Sequence, residues 1–296
     1  MKKWVSPIDK TFHFIWIGNQ EKPDYFLLFL DGFRRLCPEF EIKVWGNKDL
    51  NPKNFPKTFS LIQKLKEMHG TTIRKHSKGS SQIDSGGNTR NYSKWAQITD
   101  LMRLEIIYNH GGYYFDTTFE CVKPLFDLFN IPKKRFVGCN ETTYSLEDIP
   151  YLSNAFFGAS KKNIILKRLL SKKKLKQMDV YSIQVNRITG PYYLRSGIRE
   201  TDNFHIFPTH YFYPFVEFVT QGRKVSKNKC HFHKRNKITQ KRKQRKQRKQ
   251  RKQKLKKTKK TKLHHLKNKK GYLYNPCIQY PNSYAIKHWT LGKSWI

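Results

Sequence analysis

Residues 93–120, SKWAQITDLMRLEIIYNHGGYYFDTTFE, hold the side chains best placed to do chemistry. Asp100 and Arg103 stand one turn apart on a stripe shared with Ala96 and Ile107, in a helix that is otherwise mostly apolar. Asp116 follows the aromatic run Tyr113, Tyr114, Phe115 and so stands at the end of a strand. In open α/β sheets the C-terminal edge of the strands is where ligands bind. Taken singly, each residue has a plainer use. An Asp–Arg pair at i, i+3 commonly lies on a solvated surface, and an Asp after a strand commonly makes a turn. Their conjunction within 28 residues points instead to a site in which Asp100, Arg103 and Asp116 are the candidate catalytic residues.

The elements that must position them are legible in the pattern. Ile98, Leu101 and Met102 have the i, i+3, i+4 spacing of a buried helical face, with Ser93 as its N-cap. His110 sits at the negative end of the helix dipole, and Gly111-Gly112 can supply the αL residue that stops it. Upstream, residues 11–18 (TFHFIWIG) read as a buried strand, and residues 24–36 as an amphipathic helix with Phe26, Phe29, Leu30 and Phe33 on its apolar face. Residues 41–46 (EIKVWG) read as the next strand, which implies a right-handed parallel βαβ unit. A helix is expected around 58–69, and a loop over 79–91 leads into the helix of Asp100. Past Asp116, the pattern predicts a short helix after Pro124, strands over 135–140 and 153–160, a basic helix over 161–178, and a strand with a covering segment over 203–214. The fold class is α/β, with a central, mostly parallel sheet flanked by helices.

The order Ala-x-x-x-Asp-x-x-Arg followed by Gly-Gly-x-Tyr-x-Asp resembles the glycosyltransferases that contain the DXD sugar-binding motif. These are GT-A-fold enzymes that include yeast-type mannosyltransferases and are related to clostridial glucosylating toxins. Ala96, Asp100, Arg103, Gly111, Gly112, Tyr114 and Asp116 match, while the third motif position departs, reading Asp116-Thr117-Thr118. The string HFIWIG (13–18) is similar to the family's start, where a tryptophan at the position of Trp16 stacks on the donor's uracil. A core role for Trp16 is an equal alternative. SNAFFGAS (153–160) resembles the family's asparagine-bearing strand, which makes Asn154 a candidate for holding a sugar hydroxyl, or else a strand-end cap. TGPYYL (189–194) matches a turn that opens a helix at Pro191, and is read as structural. The end, YAIKHWTLGKSWI, resembles the terminal signature H-H-W-x-x-x-S-W, with Lys287 in place of the first His and with His288, Trp289, Ser294 and Trp295 kept.

The resemblance implies a retaining, metal-assisted hexosyltransferase using a nucleotide sugar, UDP- or GDP-linked, with a glycan or protein as acceptor. It implies donor contacts from Trp16, Asp100, Arg103, Tyr114, Asn154, Ser294 and Trp295, the last two closing as a lid. Departure of a diphosphate calls for a Lewis acid, Mn²⁺ or Mg²⁺, held by hard carboxylates. Side chains at alternate positions of an extended segment point to one side, so Asp116, Thr118 and Glu120 are candidate ligands, though Thr118 offers only a neutral hydroxyl. His288 adds a nitrogen that favours Mn²⁺.

The net charge of +39 is unevenly spread. Residues 223–270 carry 25 of the 60 Lys and Arg and no Asp or Glu, including KRKQRKQRKQRKQ. Such a block cannot bury a core and is expected to be disordered when free. It fits nucleic acid or an anionic membrane surface, and equally a tolerated low-complexity expansion. The expected organisation is therefore a GT-A-like domain over 1–222, a basic insert over 223–270, and the return of the domain over 271–296. A second reading is a catalytically inactive transferase scaffold that binds nucleic acid or an anionic surface through the block. The five cysteines form no C-x-x-C pair, which fits free thiols in a reducing compartment. No apolar run approaches the roughly 18 residues that span a bilayer, and the N-terminus shows no secretory signal. The expectation is a cytoplasmic protein of microbial or viral type.

Overall fold

The computed structural model describes residues 3–67, 94–141, 152–180, 185–214, 266–267, 273–274 and 280–288. Among the described residues, seven strands and eight α-helices run in chain order before residue 214. The strands are β1 (Thr11–Ile15), β2 (Glu41–Trp45), β3 (Gly112–Phe115), β4 (Phe119–Cys121), β5 (Phe136–Asn140), β6 (Leu152–Ala159) and β7 (Phe204–Phe207). The helices are α1 (Asp24–Leu36), α2 (Phe59–Glu67), α3 (Trp95–His110), α4 (Phe126–Phe129), α5 (Ile164–Leu169), α6 (Lys172–Lys176), α7 (Val185–Ile188) and α8 (Pro191–Ser196). Among the described residues, three short strands follow, β8 (Leu266–Lys267), β9 (Leu273–Tyr274) and β10 (Ala285–Lys287).

The chain divides into two compact units, one of residues 1–213 with 284–296, the other of residues 214–283. In the first, six strands form a sheet in the order β2-β1-β3-β6-β5-β7. β1 pairs parallel with β2 and β3, and β5 with β7, while β6 runs antiparallel to both neighbours. The mostly parallel α/β sheet expected from the sequence is therefore present. In the second unit β8 and β9 form an antiparallel pair. β8 falls within 223–270, where no regular structure was expected, and the rest of that block lies outside the described residues.

Strand alternation sorts the core into two clusters. Phe12, Phe14, Tyr113, Phe115 and Phe156 join α1 and α4 in one, which is mostly aromatic. Ile15, Tyr114 and Phe157 join α3, α5 and α8 in the other. Neighbouring residues of one strand thus serve opposite faces, as a period of two requires. Burying a side chain of this size contributes about 1.5–3 kcal/mol.

Helix α3 is buried on all sides from Gln97 to Tyr108, so its polar members must find partners inside. Glu105 accepts bonds from the Lys57 and Thr58 amides and the Thr58 hydroxyl, at 2.8, 2.9 and 2.6 Å, fastening the start of α2. The helix stops at Gly111 (φ 71°, ψ −166°), a conformation open to glycine but not the αL one expected. Burial pushes His13 down to about 3, so it is neutral. Its Nδ1 accepts from the Trp45 indole (3.1 Å), leaving Nε2–H to donate to the Gly111 carbonyl (3.0 Å). Among the described residues no helix is long and apolar enough to cross a membrane.

Candidate active site

The parallel strands β3 and β5 end on one edge, and antiparallel β6 begins there. Asp116 follows β3, and its amide donates to the Ala155 carbonyl (2.9 Å), which places Asn154 beside it. Glu141 follows β5 at the same edge. β10 pairs antiparallel with β4, Lys287 opposite Phe119, and so carries Lys287 and His288 to the same place. Together with α3, α7 and the start of α8 these elements enclose a cavity of about 440 Å³.

Inside it the charges form one network. Asn154 Nδ2 donates to Asp100 Oδ1 (2.8 Å) and the Thr189 hydroxyl to Asp100 Oδ2 (2.8 Å). Arg103 lies 3.2 Å from Asp100 and 3.4 Å from Asp116, and donates to the Asn154 carbonyl (2.6 Å). Its guanidinium lies over the Tyr114 ring, 4.6 Å from the centroid. Tyr114 donates to Asp116 Oδ1 (2.7 Å), and Lys287 Nζ to Asp116 Oδ2 (2.6 Å). Burial pushes Asp100 up to about 6, with Arg103 and Thr189 pulling the other way. Burial also acts on Asp116, but Lys287 and Arg103 outweigh it and hold that carboxyl below the usual range. Burial raises Tyr114 well above the phenol range, so it stays a donor. Glu141 is pushed by burial up to about 7.

The structure brings Asp100, Arg103, Tyr114, Asp116, Thr118, Asn154 and His288 to the cavity. Trp16 is not in its lining. It shares the face of Phe12 and Phe14, stacks on Phe26 (5.8 Å, 28°) and donates to the Gln20 carbonyl (2.9 Å). Ser93, Ser294 and Trp295 lie outside the described residues. The helix expected over 161–178 is two helices, because the Ser171 side chain caps α6. Thr189, read as part of a structural turn, bonds Asp100. Glu141 was missed, although it stands just after a strand, as Asp116 does.

Asp116, Thr118, Glu120 and His288 do not assemble as a cation site. The segment is not extended: the Phe119 amide donates back to the Asp116 carbonyl (3.1 Å), closing a turn. Glu120 therefore leaves the cavity and pairs with His288 (2.9 Å), whose ring stacks on Phe29. Both Asp116 oxygens are already engaged. A divalent cation ~4 Å from the Lys287 ammonium would meet roughly 8 kcal/mol of repulsion at an effective dielectric near 20. Among the described residues no group of three or more His, Cys, Asp or Glu could hold a metal ion.

A mostly parallel sheet flanked by helices carries its charged cavity at the edge where parallel strands end, which is where open α/β sheets bind ligands. Residues 23–137 match the family described as glycosyltransferase sugar-binding region containing DXD motif, a stretch that takes in Asp100, Arg103, Tyr114 and Asp116. Subversion of eukaryotic traffic protein A from Legionella pneumophila is 27% identical over 129 residues, 43% of this chain and 19% of that protein. The chain thus spans about a fifth of that relative's length. Among solved structures, the PaToxG glycosyltransferase is similar with a TM-score of 0.42 at 20% identity, covering 64% of this chain and 68% of that one. The UDP-bound glycosyltransferase domain of the YGT toxin is similar with a TM-score of 0.39 at 12% identity, covering 68% and 79%.

Proposed function

We infer that this chain is a glycosyltransferase that moves a sugar from a UDP- or GDP-linked donor to a glycan or protein acceptor. The observation that supports it most directly is the Asp100–Arg103–Asp116 network, which lines the cavity within the matched sugar-binding region. A cavity of about 440 Å³ is in the range of small-ligand sites. Arg103 supplies a fixed positive charge toward a departing diphosphate, and the two carboxylates hold its guanidinium in place. Asp100, Asn154 and Thr189 offer a bonded set of acceptors and donors to sugar hydroxyls. On this reading residues 1–222 and 271–296 form one transferase domain, Ser294 and Trp295 close over the donor, and the anomeric configuration is retained. The side chains at Asp116 do not fit a divalent cation, so Arg103 carries the positive charge toward the diphosphate.

The test is a thermal-shift and hydrolysis screen with UDP, GDP, UDP-glucose and GDP-mannose. A ligand present at about 100 times its dissociation constant stabilises the fold by roughly 2.7 kcal/mol. One nucleotide sugar is expected to stabilise and to be hydrolysed, and Asp116→Ala is expected to cost on the order of a hundredfold in rate. Full activity in that variant removes the role given to Asp116. A scaffold that binds nucleic acid or an anionic surface instead is motivated by Thr118 and the basic block. It predicts no response to any donor.

A further inference from the structure

We propose that the Lys287 ammonium, with the Thr118 hydroxyl, takes the place of a divalent cation at the donor's diphosphate, so that donor binding here does not depend on metal. The proposal rests on the transferase reading above. A second Asp at position 118 would face a phosphate as one anion faces another, and only a cation between them could join the two. Threonine changes that chemistry. Its hydroxyl can donate to a phosphoryl oxygen directly. Thr118 Oγ1 is buried, has no hydrogen-bond partner, and belongs to a residue that lines the cavity. A buried polar atom in that state is open to a partner from the cavity, a ligand oxygen or a water.

Lys287 supplies the charge. Its side chain is 8% exposed, Nζ lies 2.6 Å from Asp116 Oδ2, and the ammonium sits 5.5 Å from the centre of the Phe119 ring. It therefore occupies one carboxylate oxygen of Asp116, the motif's first acid. An ammonium carries three N–H donors and can bridge a carboxylate and a phosphoryl oxygen at once. The backbone fixes this position, since Lys287 lies opposite Phe119 in the β10–β4 pair and its amide donates to the Phe212 carbonyl (3.1 Å). Arg103 stands on the other oxygen of Asp116 at 3.4 Å, so two monovalent cations flank that carboxylate. The remaining carboxylate of the motif region, Glu120, is turned away to His288.

The experiment is titration calorimetry of the full chain with UDP, GDP, UDP-glucose and GDP-mannose, in EDTA and in millimolar Mn²⁺. The expected result is one nucleotide series binding with the same affinity, within about threefold, in both conditions. Lys287→Ala is expected to weaken that binding by roughly ten- to a hundredfold, the effect of losing a charged hydrogen bond, with no rescue by Mn²⁺. Thr118→Asp is expected to weaken binding in EDTA and to recover part of it in Mn²⁺. The wild-type comparison needs no variant, so the proposal stays testable if either substitution fails to fold. Binding seen only with Mn²⁺ overturns the proposal and leaves the transferase reading standing. Wild-type affinity of Lys287→Ala in EDTA also overturns it. No binding of any nucleotide in either condition overturns both.

Discussion

Asp100 and Asp116 are the same side chain in one cavity, and their surroundings drive them in opposite directions. Burial wins at Asp100 and raises it to about 6, while at Asp116 burial is outweighed by Lys287, Arg103 and the Tyr114 hydrogen bond together, which lower it. Two acids pushed apart in this way are fitted to different tasks. Glu141, raised by burial to about 7 from 4.5, is a third acid on the same lining. Its charged form is disfavoured in the fold, so the folded protein binds the proton more readily than the unfolded chain. The stability tied to that proton is complete below about pH 4.5 and is lost as pH rises through about 7. Glu141→Gln is therefore expected to raise the melting temperature at pH 8, with the gain shrinking toward zero by pH 4.5. A gain of equal size at both pH values would assign it to packing instead of ionisation.

The turn between α3 and β3 sets where Asp116 lands. Gly111 and Gly112 both have positive φ, 71° and 88°. A Cβ on Gly112 would lie 2.5 Å from the Thr11 carbonyl oxygen, which belongs to the backbone of β1 and cannot swing aside. Gly112→Ala is expected to cost about 2 kcal/mol or more in urea unfolding, through strain and overpacking together, and to lower donor affinity as β3 shifts. A loss under about 0.5 kcal/mol would show that β1 and β3 can separate freely there. Elements set by local pattern were legible in the sequence. Helix α1 runs from Asp24 to Leu36 as its apolar spacing indicated, and Pro191 opens α8. What could not be read was non-local. The pairing of β10 with β4 joins residues far apart in the chain, so Lys287 looked like a lapse from a motif and not like the partner of Asp116. The turn at Asp116–Phe119 likewise overrode the extended geometry that would have aimed Glu120 into the site. Trp16 went to the aromatic face because alternation along β1 puts it with Phe12 and Phe14, whatever its chemistry suits.

At the scale of the whole molecule, charge is divided between two places. The cavity balances Arg103 and Lys287 against Asp100 and Asp116, and its lining lies within the unit of residues 1–213 and 284–296. The sequence outside 223–270 keeps a net charge of only +14, whereas the block adds 25 positive charges with no acid among them. A density of that kind attracts any polyanion through counterion release, and the attraction must fall with salt. If six to ten phosphates are neutralised, affinity for single-stranded RNA or for DNA should drop by about three to five decades between 50 and 200 mM salt. Deleting residues 223–262 is expected to abolish that binding while leaving donor binding unchanged, as measured by filter binding and calorimetry on the same preparations. The KRKQ core has no aromatic residues on which bases could stack, so the affinity should be indifferent to sequence. Loss of donor binding on the deletion would mean that the block reaches the cavity, and the separation of the two would then fail.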